Sequence, residues 1–537
     1  MAFSRAKPQV EAYRGLSSRC TLSVTVAPSV GFAQLALVVV TAAVAFGLST
    51  FLIPPLIRLA VRRSWLDVPT EARRVHKVPV PRLGGVAVVA AAGLTFAVTW
   101  FTVGPDTVIF RDAGLLPGLI IALSVVFITG LVDDLTDLSP RVKFGAQVIA
   151  AGVLVAAGFR IEAIALAAGM PALSLGWLSV PITMLWLVGI TNAFNLIDGI
   201  DGLAGTVAVL ALVVTIVADV LTHGWFPPLL SIALIGAVAG FLRHNLSPAS
   251  IFLGDAGAMT LGLFIAARVT MASTSADGAT YVVLPLFVLV LPLLDTGLAM
   301  GRRWLRGDPV SAADGRHIHH QLLALGLTTH QTVRVLGAAM LAFSLVGLVV
   351  VFAPPQLALA LLVSTGILLC IGLLYLIRWL GYAEFGELGS SVAAGVRDVR
   401  SIIRDRILAN EVAARIRTAN TLEEVTGALE KLTDEVRLLD VQILEGDVHL
   451  HGPQRQQISP VDKLPVRLDY PCAWESNGKV QEVILRLWST RPSPSGAHAI
   501  ERIACRVGPA LEEWLRTHAE SAATAALSPR ASRSERT

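Results

Sequence analysis

Charge is scarce in this chain: Asp, Glu, Lys and Arg make up 15% of its 537 residues, against 54% hydrophobic ones. An average soluble domain is about a quarter charged, so a purely soluble globular protein is excluded. Cysteine is scarce too. Cys20, Cys370, Cys472 and Cys505 lie far apart with no Cys-x-x-Cys pair, which excludes a disulfide framework and a thiolate zinc site. The formal net charge is only +4, and in so apolar a chain it reads as basic loops beside a membrane, not as a nucleic-acid footprint. What the sequence has in quantity is long apolar runs.

Crossing a bilayer takes about 20 helical residues. Runs of that order recur at about 33–61, 84–103, 114–132, 144–158, 180–197, 204–222, 228–243, 257–273, 281–300, 331–353 and 356–377, which predicts eleven spans. Residues 160–178 read as a small hairpin or an amphipathic piece. Residues 1–31 form a mixed leader, and 519–537 an Ala/Ser/Arg-rich tail, both expected to be disordered. Cations gather in 62–82 (Arg62, Arg63, Arg73, Arg74, Lys77, Arg82) and in 302–316 (Arg302, Arg303, Arg306, Arg316). The positive-inside rule makes those loops cytoplasmic, with the N-terminus outside and the C-terminus inside. The leader cations Arg5, Lys7, Arg14 and Arg19 run against that assignment; the internal loops agree with one another.

The polar residues of the apolar region are clustered. Asp133, Asp134, Asp137 and Lys143 follow the third span, and Asn192, Asn195, Asp198 and Asp201 close the fifth. Asn245, Phe252 and Asp255 lie between the seventh and eighth; Asp295 lies in the ninth, and Arg316, His317, His319 and His320 follow it. Alternating the spans from an outside N-terminus brings all these groups to the cytoplasmic face, and carboxylates at a membrane edge are functional by default. Each has a bland reading alone. Asp133 and Asp137 read singly as solvated helix ends, His-x-His-His as a surface loop or adventitious metal site, Phe252 as packing, and Asp295 as a partner for Arg302. Four clusters on one face outweigh those readings. Asp255 and Asn195 supply the oxygens that Mg²⁺ prefers, and Asn192 and Asn195 share a helix face. Lys143, Arg316 and the histidines suit phosphate oxygens.

The matching pieces PRLGG (81–85), DDLTD (133–137), NAFNLIDGIDGLAG (192–205), FLGDAG (252–257) and HIHH (317–320) resemble, in this order, the polyprenyl-phosphate N-acetylhexosamine-1-phosphate transferases. The resemblance covers about 45–330 and lies nearer the WecA/TagO-like branch than the MraY branch. It implies an all-α polytopic membrane fold of about eleven helices with a cytoplasmic cleft. It also implies a UDP-sugar donor, foremost UDP-N-acetylglucosamine, an undecaprenyl-phosphate-like acceptor, Mg²⁺ (Mn²⁺ as the alternative) and release of UMP. By motif position, Asp133 and Asp134 match the catalytic aspartate pair, and Lys143 a phosphate-binding lysine. Asn195 and Asp255 match metal or diphosphate ligands, while Asp201 and Phe252 match the uracil pocket. Arg316, His317, His319 and His320 match a loop contacting sugar or diphosphate; Asn192 and Asp198 join the substrate-binding set.

Residues 384–518 depart from that pattern. Charged helices over 384–437 with a start at Asn420/Thr421 and Glu423/Glu424, strands near 438–451 and 480–489, and a helix over 498–517 predict a small cytoplasmic α/β domain of unknown role. The expected setting is a bacterial inner membrane and cell-envelope polysaccharide synthesis; a homodimer and a regulatory partner for 384–518 stay open. A transporter or flippase of nucleotide- or lipid-linked sugar is the competing class. It would place its polar sites near the bilayer midplane between structural repeats, and no internal repeat is evident.

Overall fold

The computed structural model describes residues 32–67, 79–103, 115–167, 169–223, 228–274, 279–306, 316–380, 382, 385, 399–421, 423–429, 438–445, 448–451, 466–476, 479–489 and 503–518. The leader and tail expected to be disordered lie outside the described residues. The chain forms two compact units, one of residues 1–291 and 329–358, the other of 292–328 and 359–537.

The first unit is helical: α1 (Phe32–Arg63), α2 (Gly84–Val103), α3 (Leu116–Thr136), α4 (Pro140–Ala156), α5 (Ser179–Ile197), α6 (Leu203–His223), α7 (Leu229–Asn245), α8 (Gly254–Ala272), α9 (Val283–Val288) and α12 (Thr329–Phe352). Helix α8 is its hub, packed against α2, α3, α5 and α6, with 89% of its best apolar window buried. Apart from Asp255 in its first turn and Arg268, which pairs with Asp219, its sequence is apolar on every side, as suits a surrounded helix. Small residues let backbones approach: a Cβ on Gly85 would lie 2.2 Å from the Gly257 nitrogen. Residues 160–178 do form a hairpin, with β1 (Ala163–Ala165) antiparallel to β2 (Leu173–Ser174); β3 (Ala279–Tyr281) adds parallel to β1.

Among the described residues, eight helices are long and apolar enough to cross a membrane. This is a helical polytopic membrane protein. Three of the eleven expected runs fall outside that set. Helices α4 and α7 have 17 residues each. The run 281–300 is not one helix: it breaks at Leu289 into α9 and α10 (Val290–Arg306). Pro292 explains the break, because its ring excludes the carbonyl four residues back and it has no N–H to donate.

The second unit holds α10 from Pro292 onward, α11 (Ile318–Ala324), most of α13 (Pro355–Trp379), the helix Val399–Thr418, and helices at 423–429 and 503–518. Only 6% of the α13 window is buried, as suits a helix facing lipid. Thr421 and Glu424 cap the 423–429 helix reciprocally, with Glu424 N–H on Thr421 Oγ1 (3.3 Å) and Asn420 N–H on Glu424 Oε2 (2.8 Å). An antiparallel sheet, ordered β5 (Val448–His451), β4 (Leu438–Glu445), β7 (Lys479–Ser489), β6 (Val466–Ser476), shares a core with these helices around Val412, Leu485, Leu511 and Trp514. Strand β6 is not among the strands expected from the sequence, and it contains Pro471. At the sheet edge a missing N–H breaks no ladder bond, and Leu468, Tyr470 and Cys472 alternate toward the core.

Candidate active site

The site of the first unit is built where four helix ends meet, the C-termini of α3 and α5 and the N-termini of α4 and α8. Helix α3 stops at Asp137, whose left-handed backbone (φ 53°) caps the helix, and Pro140 starts α4. This tight turn lets Asp133 Oδ1 accept the Leu138 N–H at 2.8 Å. It also brings Lys143, one turn into α4, back onto Asp133 Oδ2 at 3.1 Å.

Two of the sequence motifs prove to be one object. The Phe252 N–H donates to the Pro81 carbonyl, Gly84 N–H to Phe252 O, and Gly85 N–H to Leu253 O, at 2.8, 2.8 and 2.7 Å. PRLGG and FLGDAG are thus laced by their backbones, which fixes the start of α8. Gly254 turns the chain there at φ 73°; a Cβ would lie 2.1 Å from the Arg82 carbonyl and 2.6 Å from Asp134 Oδ2. Asp134 then caps α8, its two oxygens accepting the N–H groups of Asp255 (2.8 Å) and Ala256 (3.0 Å). A carboxylate at a helix N-terminus satisfies orphan donors and meets the positive end of the dipole.

Asp255 stands in that first turn and completes the centre. Lys143 Nζ donates to Asp255 Oδ2 at 2.9 Å, and Asn195 Nδ2 reaches the same oxygen at 3.3 Å. Asp133, Lys143, Asn195 and Asp255 are therefore in direct contact. Asn192, one turn before Asn195, faces Gln147 on α4 and the Val188 carbonyl instead. Gln147 was not expected; in sequence it is a single amide within an apolar run, and its burial is the only sign of importance.

The turn after α5 carries the remaining expected residues. Asp201 Oδ2 accepts the Ala249 N–H at 3.1 Å. Asn245 bridges Gly202 N–H and the Ile251 carbonyl at 2.9 Å each, tying this turn to the segment that carries Phe252, itself half-buried. Burial pushes the Asp198 carboxyl up to about 7, with Asp255 adding to the rise and Arg82 opposing it. Arg82 pairs with Asp67 at 2.8 Å and reaches Asp137 at 3.9 Å.

The second unit holds the histidine motif. Asp295 on α10 accepts the Ile318 N–H on Oδ1 (2.7 Å) and faces His317 Nδ1 with Oδ2 (3.0 Å). This corrects the reading that paired Asp295 with Arg302, whose guanidinium lies over the Tyr382 ring, 4.4 Å from its centroid. Residues 295 and 302 are seven apart, nearly two turns, whereas the chain returns His317 directly to Asp295. The His317 and His319 rings stack at 5.6 Å, and His320 lies 4.3 Å from His319. Burial, then the neighbouring His320, pushes His319 down to about 3, so its ring is neutral at physiological pH. Arg316 extends toward Glu411 at 3.5 Å, and its carbonyl accepts the Tyr382 hydroxyl at 2.8 Å.

Among the described residues, no group of three or more His, Cys, Asp or Glu side chains is placed to hold a metal ion. Asp255 and Asn195 stand side by side, the amide Nδ2 on the carboxylate Oδ2; one carboxylate and one amide are donor types that suit an ion taking most of its ligands from water and phosphate. A lysine among carboxylates at the mouth of a buried helix can receive a polyanion and neutralise it.

Residues 116–273 match the model of a family described as glycosyl transferase family 4. A probable undecaprenyl-phosphate N-acetylglucosaminyl 1-phosphate transferase of Bacillus subtilis is 33% identical over 291 residues, covering 54% of this chain and 78% of that protein. The decaprenyl-phosphate N-acetylglucosaminephosphotransferase of Mycolicibacterium smegmatis is 33% identical over 393 residues, or 68% of this chain and 94% of that protein. An undecaprenyl-phosphate alpha-N-acetylglucosaminyl 1-phosphate transferase of Yersinia pestis is 25% identical over 315 residues, 57% and 82% respectively.

Proposed function

The chain belongs to glycosyl transferase family 4, and on that premise we propose that it transfers N-acetylglucosamine-1-phosphate from a UDP-sugar to a polyprenyl phosphate, releasing UMP. The observation that carries this reading is Lys143 held between Asp133 and Asp255 at the start of the central helix. The relatives' shared donor sugar supports UDP-N-acetylglucosamine. The acceptor we favour is undecaprenyl phosphate, the isoprenoid named for two of those three relatives. The basic loops support a cytoplasmic site, with residues 32–380 as the transferase region and 384–518 as a cytoplasmic appendage.

The chain's own residues divide the work. A phosphate monoester loses its second proton near pH 6, so the acceptor is already a nucleophile at neutral pH, and Asp133 orients it. Lys143 offsets the repulsion between the incoming phosphates and the two carboxylates. Asp134, with both oxygens given to the α8 backbone, positions Asp255. Asn192, Asp198, Asp201 and Phe252 are the substrate-binding candidates of the first unit, and Arg316, His317, His319 and His320 are the anion-contacting candidates of the second. Asp255 and Asn195 would hold Mg²⁺, or Mn²⁺ in its place, which neutralises the diphosphate when bound.

In the displacement, an acceptor oxygen bonds to the sugar-side phosphorus as its bond to the bridging oxygen breaks, and UMP leaves with that electron pair. A covalent phospho-aspartate at Asp133 is the rival route. Direct displacement is favoured because both Asp133 oxygens are engaged, by Leu138 N–H and by Lys143. Rapid-quench trapping of a sugar-phosphoryl enzyme before acceptor is added would overturn it.

The test of function uses the full chain in lipid vesicles with UDP-N-acetylglucosamine, polyprenyl phosphate and Mg²⁺, scoring UMP and lipid-linked sugar. UDP-N-acetylgalactosamine and decaprenyl phosphate serve as comparison substrates. Folded protein that makes no product from any UDP-N-acetylhexosamine refutes the reading.

A further inference from the structure

Asp295 belongs to none of the motifs that mark the site. It stands on the second turn of α10, 22 residues before His317, and is 2% exposed. A carboxylate so buried is retained at a cost unless donors satisfy it. Among the described residues, its donors come from the histidine motif. Oδ1 takes the Ile318 N–H at 2.7 Å, and Oδ2 lies 3.0 Å from His317 Nδ1 and 3.8 Å from His319 Nδ1.

The 3.0 Å contact decides a tautomer. A deprotonated Nδ1 would set a lone pair against a carboxylate oxygen inside the protein, so the hydrogen sits on Nδ1. Nε2 of His317 is then the ring atom left to meet a ligand. Gripping the next residue's backbone as well as the ring fixes where the imidazole points. Because His317 and His319 stack with interplanar angle 6°, setting the first ring also sets the second. The Nε2 atom of His319 is buried and, among the described residues, has no hydrogen-bond partner.

We propose that Asp295 is the positioning residue of the His317–His320 motif, fixing the His317 tautomer and ring direction so that Nε2 is the ring nitrogen presented to a ligand. This rests on the transferase reading above for what Nε2 meets. The tautomer itself does not depend on that reading. The arrangement has the logic of a carboxylate behind a working histidine: it touches no substrate and acts through the ring.

Asp295→Asn separates this role from simple packing. The amide has the same shape, but keeping its oxygen on Ile318 N–H turns its NH₂ toward His317 Nδ1, which must then accept, moving the ring hydrogen to Nε2. The expected result is a fall in kcat on the order of 10²-fold, with KM for UDP-N-acetylglucosamine changed less than about threefold and thermal unfolding nearly unchanged. In a His317→Ala background the same substitution should cost nothing further, because Asp295 then has no ring to set. Full additivity in that cycle, or wild-type kcat in Asp295→Asn, refutes the proposal. Nitrogen NMR of histidine-labelled full-length protein provides a readout without any variant: His317 should carry its hydrogen on Nδ1, and finding it on Nε2 overturns the assignment. If the wild-type protein transfers no sugar phosphate, the transferase reading fails, while the NMR result still decides the tautomer.

Discussion

Lys143 Nζ lies 2.9 Å from Asp255 Oδ2 although the two residues are 112 positions apart. The same ammonium is 3.1 Å from Asp133, so one cation holds two carboxylates that would otherwise repel each other. Lys143→Met should lower kcat/KM at least about 10²-fold, because charge is lost both between the carboxylates and toward the diphosphate. If Asp255 is a cation ligand, the same variant should also bind Mg²⁺ more tightly, since its ammonium competitor is gone. Turnover assays and calorimetric Mg²⁺ titration check both outcomes; unchanged turnover would remove Lys143 from the machinery.

Asp134 differs from its neighbour in what it touches. Asp134→Ala uncovers two N–H groups at the start of α8 and should cost about 1–2 kcal/mol, the range for a lost N-cap. Asp133→Ala should abolish turnover with a smaller loss of stability. Thermal unfolding in detergent alongside the transfer assay separates the two; equal stability losses would contradict this division.

Gly254 and Gly152 give opposite expectations for the same change. Gly254→Ala places a Cβ 2.1 Å from the Arg82 carbonyl at a positive φ, whereas Gly152 has nothing within 4 Å of the new atom. The first should lose at least about 2 kcal/mol and all activity. The second lies within α4 and should be neutral or gain about 0.5–1 kcal/mol. Unfolding midpoints of both variants provide the check.

His319 makes the fold acid-sensitive. Its native pKa is pushed down to about 3, against about 6.5 in an unfolded chain. The unfolded state therefore binds a proton that the native state refuses, and stability is lost as pH falls from about 6.5 toward 3. The slope reaches about 1.4 kcal/mol per pH unit. His319→Gln should flatten the dependence between pH 6 and 4, read from unfolding midpoints across that range. A wild-type slope in the variant would show that His319 is not the group responsible.

Glu411 lies 3.5 Å from Arg316, and both side chains are partly exposed. Such a pair contributes little by itself. Glu411→Ala should raise KM for UDP-N-acetylglucosamine no more than about fivefold and leave kcat close to wild type. Steady-state kinetics in vesicles decides; a large kcat loss would give the helix Val399–Thr418 a deeper part in catalysis than this contact supports.

The sequence by itself determined the membrane class, the helical architecture and the residue types that the fold gathers around Lys143. These depend on local rules: apolar runs of fixed length, helix stops at Gly and Pro, and amides repeating on one helix face. The hairpin at 160–178 and the cap at Thr421–Glu424 were legible for the same reason. Tertiary structure alone decided which polar groups touch. Lys143 between Asp133 and Asp255, Asp134 on the α8 backbone, and Asp295 behind His317 are contacts between distant segments, set by how helices pack. The run 281–300 misled because Pro292 stops a helix that its apolar length alone would continue. A side chain's chemistry is written in the chain, but its partner is chosen only when the backbone closes.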